Sequence, residues 1–410
     1  MTIEKIDNLL EENHKCSQKN GYIGYDPQLF WHLKFYKAYA KKSNTLNKIL
    51  RRIEFECLKN VPSLIIPYAK FCQVEKELSP YGLGLFLQAY TNLYKTSLNK
   101  VYLEESEKIV VILEPLFITL PHGLGAGNPK TKHNESKPFF NTFATNETSY
   151  LVVVAEILFG LINLYQLNPS EKVLKLIKKL SMAILSDYKQ KRCADDTIML
   201  NYSTVEDETH ILNANALALK GLILTEEMSD IGLDKEWIRK IYLYIFPYLK
   251  QKQIPYAGDE DKEISSNYKS ADLYHTGFTL RGMLAIARYL SLEEDVLFIK
   301  QRMQETLNDF LLDDKIVMFQ SRDLIEIHSV AEYINLYSEI YTFLDDKSRQ
   351  KYLKTIKNNV EKMNNNKGSY VYKIEKNKVI DIYFPRWSHS VMMNALSKLR
   401  NALTQNEIVV

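Results

Sequence analysis

Four histidines fall at one relative place in a recurring unit. His210, His275, His328 and His389 each open an apolar helical run: THILNANALALKGLIL, LYHTGFTLRGMLAIARYL, IHSVAEYINLYSEIY and PRWSHSVMMNALSKL. The runs are spaced by roughly 55–65 residues, the length of a helical hairpin with long loops, and such a period fixes the architecture first. Around the same helix starts lie Glu206, Asp207 and Asn213, then Asp272 and Tyr274, then Glu326, then Arg386 and Trp387. Imidazoles and carboxylates that face one cleft do general acid/base work. Removing the C5 proton of a uronic acid needs a His or Tyr base, a matching acid and a group that neutralises the carboxylate. Tyr274, His275, His210 and His389 are the right types for the first two roles, and Arg386 with Asn213 for the third. Hydrolysis of a glycosidic bond instead needs two carboxylates, which Asp207 (or Glu206) and Asp272 would supply. Tyr202, Tyr256, Phe319 and Tyr383 occupy comparable places in the loops and are candidate sugar platforms, with His328 and Trp387 at the helix starts.

Each of these residues also has a plain structural reading. Asp207, Thr209, Asp272 and Ser388 are good helix caps, and one histidine at a helix start is commonly a satisfied structural group. Four at one position point to at least two lining a cleft. No HxxxH or HxH spacing supports zinc, no nucleophile elbow is present, and neither GxxxxGK[ST] nor a strand–turn–helix context makes Gly123–Pro138 a phosphate loop. No metal or cofactor is expected.

Two kinds of helical segment must position these residues, and they alternate. Gly82–Tyr94, Tyr150–Tyr165, Ile211–Leu224, Leu273–Leu290, Ile327–Tyr341 and Trp387–Leu399 are apolar nearly all round, which demands burial on every side. Leu46–Leu58, Glu104–Leu116, Glu171–Tyr188, Asp234–Leu249, Glu293–Leu311 and Ser348–Met363 are amphipathic, with lysines on the free face. Two concentric layers satisfy this alternation, so the chain is expected to be an all-α (α/α)6 toroid with six inner and six outer helices. Solenoid helix pairs also alternate, but their helices are rarely so poor in polar residues. The inner helices would aim their N-termini, with their unpaired amides, at one mouth. Long loops precede them, and SYVYKIEKNKVIDIYF reads as a β-hairpin insertion. Gly82, Gly84 and Gly277 are read as sites of close helix packing. One toroid domain over 1–410 is expected, with 1–40 a helical lead-in.

The chain has 410 residues, 46% hydrophobic and 25% charged, with net charge +3. That charge is too small and too dispersed for nucleic acid. No stretch approaches the ~18 apolar residues of a membrane span. The acidic, interrupted N-terminal segment is not a signal peptide, and four cysteines without CxxC pairing suit reduced thiols. A cytoplasmic location is expected. The 27 tyrosines suit packing and sugar binding equally.

In order along the chain, GYDPQLF (Gly24–Phe30, containing Asp26), SPYGLGLFLQAY, HILNANALALKGL, DLYHTGFTLRGM, IHSVAEYI and PRWSHSVMMNAL resemble the six-hairpin, prenyltransferase-like toroid proteins of bacterial surface-polysaccharide clusters. Their YDPYD form is YDPQL here, which removes the second acid and leaves Asp26. The resemblance implies capsule, exopolysaccharide or O-antigen biosynthesis, with an oligo- or polysaccharide partner, free or lipid-linked. Arg386, Trp387 and His389 alone are similar to a short stretch of glucuronyl C5-epimerase toroid domains. Toroidal terpene cyclases need a DxDD-type motif, which Asp259-Glu260-Asp261 matches poorly. The reading is a uronyl epimerase- or lyase-like enzyme, with a glycoside hydrolase or a non-catalytic glycan-binding protein as alternatives.

Overall fold

The computed structural model describes residues 1–42, 44–127, 147–205, 210–261, 271–376 and 378–407. Among them are fifteen α-helices: α1 (Ile3–Asn20), α2 (Lys34–Lys41), α3 (Thr45–Asn60), α4 (Ile65–Phe71), α5 (Pro80–Ser97), α6 (Lys100–Leu113), α7 (Leu151–Leu167), α8 (Glu171–Ser186), α9 (Leu212–Met228), α10 (Lys235–Leu249), α11 (Leu273–Tyr289), α12 (Glu293–Asp309), α13 (Ile327–Glu339), α14 (Asp346–Met363) and α15 (Ser390–Glu407).

The apolar helices form the inner ring. Helix α5 packs on α7, α7 on α9, α9 on α11, α11 on α13, α13 on α15, and α15 returns to α5, so the barrel closes. Each charged helix covers one of them: α6 on α5, α8 on α7, α10 on α9 and α11, α12 on α11, α14 on α13. The chain is an all-α (α/α)6 toroid, because only a second layer lets helices such as LVVVAEILFGLINLYQL bury every side.

The sixth outer position differs from the sequence expectation. Helix α1 fills it, packed on α15, with Ile6, Leu9 and Leu10 buried. The Leu46–Leu58 segment lies outside the ring as α3, where Glu54 and Leu58 are its buried residues. Periodicity reports that a helix has an apolar face, not which way that face points.

Several helix starts carry the side-chain caps their sequences offer: Ser79 accepts from the Gly82 amide, Ser170 from Val173, Asp272 from His275 and Glu326 from His328. Small antiparallel ribbons fill the loops: β1 (Phe117–Thr119) with β2 (Leu124–Ala126), β3 (Gln190–Arg192) with β4 (Ile198–Leu200), and β5 (Leu311–Leu312) with β6 (Lys315–Ile316). The expected hairpin is β8 (Lys373–Glu375) and β9 (Lys378–Ile380), joined on its β8 edge by β7 (Leu324–Glu326).

Glycine sets the closest helix approaches. A Cβ on Gly84 would lie 3.0 Å from the α7 backbone at Glu156 and Ile157, and one on Gly82 3.1 Å from the Arg386 Cα. Gly277 serves otherwise: its missing side chain leaves room for Glu332, whose Cγ would sit 2.4 Å away. At Gly282 a Cβ would stand 2.5 Å from the Ala216 carbonyl, a backbone contact that cannot yield. Gly282→Ala is expected to destabilise the barrel by about 1–3 kcal/mol, read as a lower denaturant midpoint. Gly221→Ala, which meets a Leu158 methyl at 3.3 Å, is the milder control.

Candidate active site at the barrel mouth

The inner-helix N-termini are tied to the loops by one repeated bond. The first helical amide of α7, Leu151, donates to the Tyr202 carbonyl at 2.9 Å; Leu212 of α9 donates to Tyr256 at 3.2 Å, Leu273 of α11 to Met318 at 3.1 Å, and Ile327 of α13 to Tyr372 at 3.0 Å. In five of the six inner helices the second residue shares a register: Tyr81, Val152, Asn213, Tyr274 and His328. Their rings and those of the loops converge. Tyr274 stacks on His328 with centroids 4.4 Å apart and planes 7° from parallel. Trp387 stands edge-on to His328 at 5.4 Å and to Tyr274 at 6.3 Å, and Tyr81 reaches His328 at 6.5 Å.

His275 lies beside this stack, 4.0 Å from Tyr274 and 4.5 Å from Tyr256. Asp272 holds it twice: Oδ1 accepts its backbone amide at 2.8 Å, and Oδ2 lies 2.6 Å from Nδ1. The carboxylate is therefore both helix cap and histidine orienter. It fixes the proton on Nδ1 and leaves the Nε2 lone pair as a base. The His275 side chain is 20% exposed, against 2% for His210. His328 and His389 are buried as whole residues, at 4% and 0%.

His210 repeats the arrangement more deeply, with Asp261 Oδ2 3.1 Å from its Nδ1. Among the described residues its Nε2 has no partner, as is true of His328 Nδ1, Asn213 Nδ2, Thr276 Oγ1 and Glu326 Oε1. Burial, then the neighbouring His275, Arg386 and Arg281, push His328 well below the usual imidazole range, so its ring is neutral. Burial and the Asp272 charge push Glu326 up to about 8. Burial, Asp272 and Glu326 also raise the Tyr274 phenol. The mouth thus combines an oriented base with carboxyl and phenol groups that keep their protons.

Four expected site residues are placed otherwise. Arg386 is 4% exposed. Its Nη2 donates to Asp26 Oδ1 at 2.9 Å and its Nε lies 2.5 Å from Oδ2, so the fork that would grip a sugar carboxylate already holds Asp26. It also covers the Trp387 ring at 4.4 Å. Asp26, expected to bind substrate, is that buried partner. His389 points away from the mouth into α1, where Nε2 lies 3.0 Å from the Asn13 carbonyl and 2.9 Å from Ser17 Oγ, and burial lowers it to about 4. Tyr383 packs beside His389 at 5.3 Å. The place equivalent to Tyr202 and Tyr256 belongs to Tyr372, because the β8–β9 hairpin intervenes before Tyr383. Tyr202 sits on the α7 rim against Tyr150 at 5.5 Å. Asp207, Glu206 and Thr209 lie outside the described residues. Glu326, Tyr81 and Tyr372 were not singled out as actors from sequence. Starting the first inner helix at Pro80, a favoured first helical residue, would have put Tyr81 in register with Tyr274 and His328.

Below the aromatic layer the lumen is polar, with its main buried charges paired. Arg281 Nε and Nη2 donate to Glu332 at 2.6 and 3.0 Å, Asn335 adds a bond to Glu332 at 3.0 Å, and Gln88 donates to Glu156 Oε2 at 2.7 Å. Among the described residues, no group of three or more His, Cys, Asp or Glu has the geometry to hold a metal, and no helix is long and apolar enough to cross a membrane.

No protein-family model and no curated sequence matches the chain. Solved structures do match its fold. A cellobiose 2-epimerase from Spirochaeta thermophila aligns with a TM-score of 0.61 at 12% identity, covering 81% of this chain and 87% of its own. A GH76 alpha-mannanase from Bacteroides thetaiotaomicron gives 0.61 at 11%, with the same coverage of 81% and 87%. A polysaccharide lyase gives 0.57 at 11%, covering 79% and 91%. At such identities the shared property is the toroid.

Two stability effects follow. Asp26→Ala leaves Arg386 buried without its counter-ion and is expected to cost about 3–5 kcal/mol, measured by denaturant melts. Glu326 titrates near 8 in the fold, above its ordinary 4.5, so the folded state holds an extra proton between those values. Its contribution is complete below about pH 4.5 and is lost as pH rises through about 8, a fall on the order of a few kcal/mol. Glu326→Gln should flatten that decline.

Proposed function

We propose that the mouth is the active site of a carbohydrate-active enzyme that moves a proton at a sugar carbon next to a carbonyl or carboxyl group, an epimerase- or lyase-type reaction. The observation that carries this reading is the Asp272–His275 pair: a carboxylate-oriented imidazole, the most exposed of the four, beside aromatic rings. The folds of a sugar epimerase and a polysaccharide lyase support a glycan as substrate. Tyr256, Tyr274 and Trp387 offer flat faces for a sugar ring. His275 Nε2 takes the C–H proton. The protonated carboxyl of Glu326 then donates a hydrogen bond to the enolate oxygen as charge develops there. With Arg386 bound to Asp26, the reading requires a sugar with an acidified C–H and does not require a uronate. The sequence resemblance supports surface-polysaccharide biosynthesis as the setting and a free or lipid-linked oligo- or polysaccharide as the substrate, and the proposed location is the cytoplasm.

A second reading, glycoside hydrolysis, draws on the same Glu326, whose raised pKa, from burial and the Asp272 charge, suits a general acid. Proton NMR of surface polysaccharide incubated with the protein in heavy water separates the two. Loss of a ring C–H signal or new vinyl protons marks proton abstraction; new reducing-end signals mark hydrolysis and would overturn the first reading. His275→Ala is expected to lower kcat by about 10²–10⁴-fold with the fold intact. Activity should fall as pH rises through about 8, where Glu326 loses its proton, and Glu326→Gln should remove that falling limb. Full activity in folded His275→Ala would refute the assignment.

A further inference from the structure

The stretch from Lys34 to Phe71, which holds α2, α3 and α4, stands apart from the double ring in charge and in the direction of its apolar side chains. It contains nine of the chain's 53 basic residues and two of its 50 acidic ones, so it carries +7 while the rest of the chain carries −4. Helix α3 is built inside out. Its inward face holds the Glu54 carboxylate, which accepts the Phe35 and Tyr36 amides at the start of α2, both at 3.1 Å, and the Tyr68 hydroxyl at 2.7 Å. Its outward face presents Leu46, Ile49 and Ile53, at 63%, 51% and 54% exposure, on the i, i+3, i+7 spacing of one helix side. Val61, Leu64 and Phe71 of the same stretch are exposed as well. Lys48 and Arg52 are exposed beside the stripe.

This unit adjoins the mouth. Leu58, Ile65 and Ala69 share an apolar cluster with Ile382 and Phe384, against which Trp387 packs. Lys378, on the β8–β9 hairpin, donates to Asn60.

An apolar stripe of this size needs a cover, and the charge selects it. A second copy of the chain would bring +7 against +7, a costly juxtaposition. Nucleic acid would satisfy the cations and leave the leucine and isoleucines in water. An anionic bilayer satisfies both, as interfacial amphipathic helices do: aliphatic side chains at headgroup depth, lysine and arginine on the lipid phosphates. We propose that α2–α4 dock on an anionic phospholipid surface through Leu46, Ile49 and Ile53. Docked in this way, the chain holds the barrel mouth at the membrane. A lipid-linked saccharide would then be the substrate class, and that last step rests on the proposed activity.

The test uses the full chain with vesicles of phosphatidylcholine alone and of phosphatidylcholine mixed equally with phosphatidylglycerol, by co-sedimentation, with light scattering for oligomeric state. Binding is expected on the anionic vesicles, weakened by salt. Ile49→Asp with Ile53→Asp is expected to weaken it roughly tenfold or more, since two seated side chains become charged. Lys48→Glu with Arg52→Glu should weaken it severalfold. Both pairs are exposed, so circular dichroism should be unchanged. Absence of binding to anionic vesicles, equal binding to both vesicle types, or a dimer that the Ile49/Ile53 pair abolishes would overturn the proposal. Vesicle binding needs no sugar. Binding without sugar chemistry would leave the surface standing and remove the proposed reaction, and the converse result would do the reverse.

Discussion

The mouth of this toroid depends on one hydrogen bond made four times, from the first amide of an inner helix to a loop carbonyl. A helix start has unpaired amides, and these starts are buried. Each must find an acceptor, and the loops supply it at Tyr202, Tyr256, Met318 and Tyr372. The bond draws an extended segment across the barrel end in every one of these repeats. It brings Tyr256 over His275, and the same geometry makes Tyr372, not Tyr383, the residue at the fourth position. The site is thus a by-product of satisfying backbone donors, then elaborated by the side chains that happen to follow.

The barrel floor holds its main charge pair internally, while several buried polar atoms at the mouth have no partner among the described residues. On the floor, Arg281 and Glu332 hold each other with two bonds, and Gln88 holds Glu156. The ion pair fixes the lumen, since Arg281 or Glu332 alone would be a buried charge without compensation. At the mouth, His210, Asn213, Thr276, Glu326 and His328 each keep a buried polar atom without a partner among the described residues. Buried polar groups are normally paired. Those at the mouth stand beside stacked aromatic rings, where a polar ligand could complete them.

The four histidines show how far one sequence position can diverge. His275 and His210 are each clamped at Nδ1 by a carboxylate, one near solvent and one buried. His328 is stacked and neutral. His389 belongs to the joint between α15 and α1. The five-residue π turn Pro385–His389 ahead of α15 explains the last case. It rotates the helix start, so Trp387 enters the mouth while His389 turns outward. No spacing in the sequence announces that turn.

The sequence by itself determined the ring. Six runs apolar on every side, alternating with lysine-faced ones of which five are outer helices, have few ways to bury their surface, and the hairpin before Trp387 was written in its alternation. It also determined the site's residue types, because helix starts carry recognisable caps, and Asp272 with His275 stood together there. The tertiary structure alone decided which groups are available. Arg386 looked like a carboxylate grip until Asp26, 360 residues away in sequence, filled it. Glu326 was one more acid at a helix start until burial and Asp272 raised it toward neutrality. Helix α3 looked like an outer-ring helix until its apolar face proved to point outward. The physical reason is common to all three. Periodicity and residue type are local, whereas the partner of a charge, the burial of an acid and the direction of a helix face are set by segments far away in the chain.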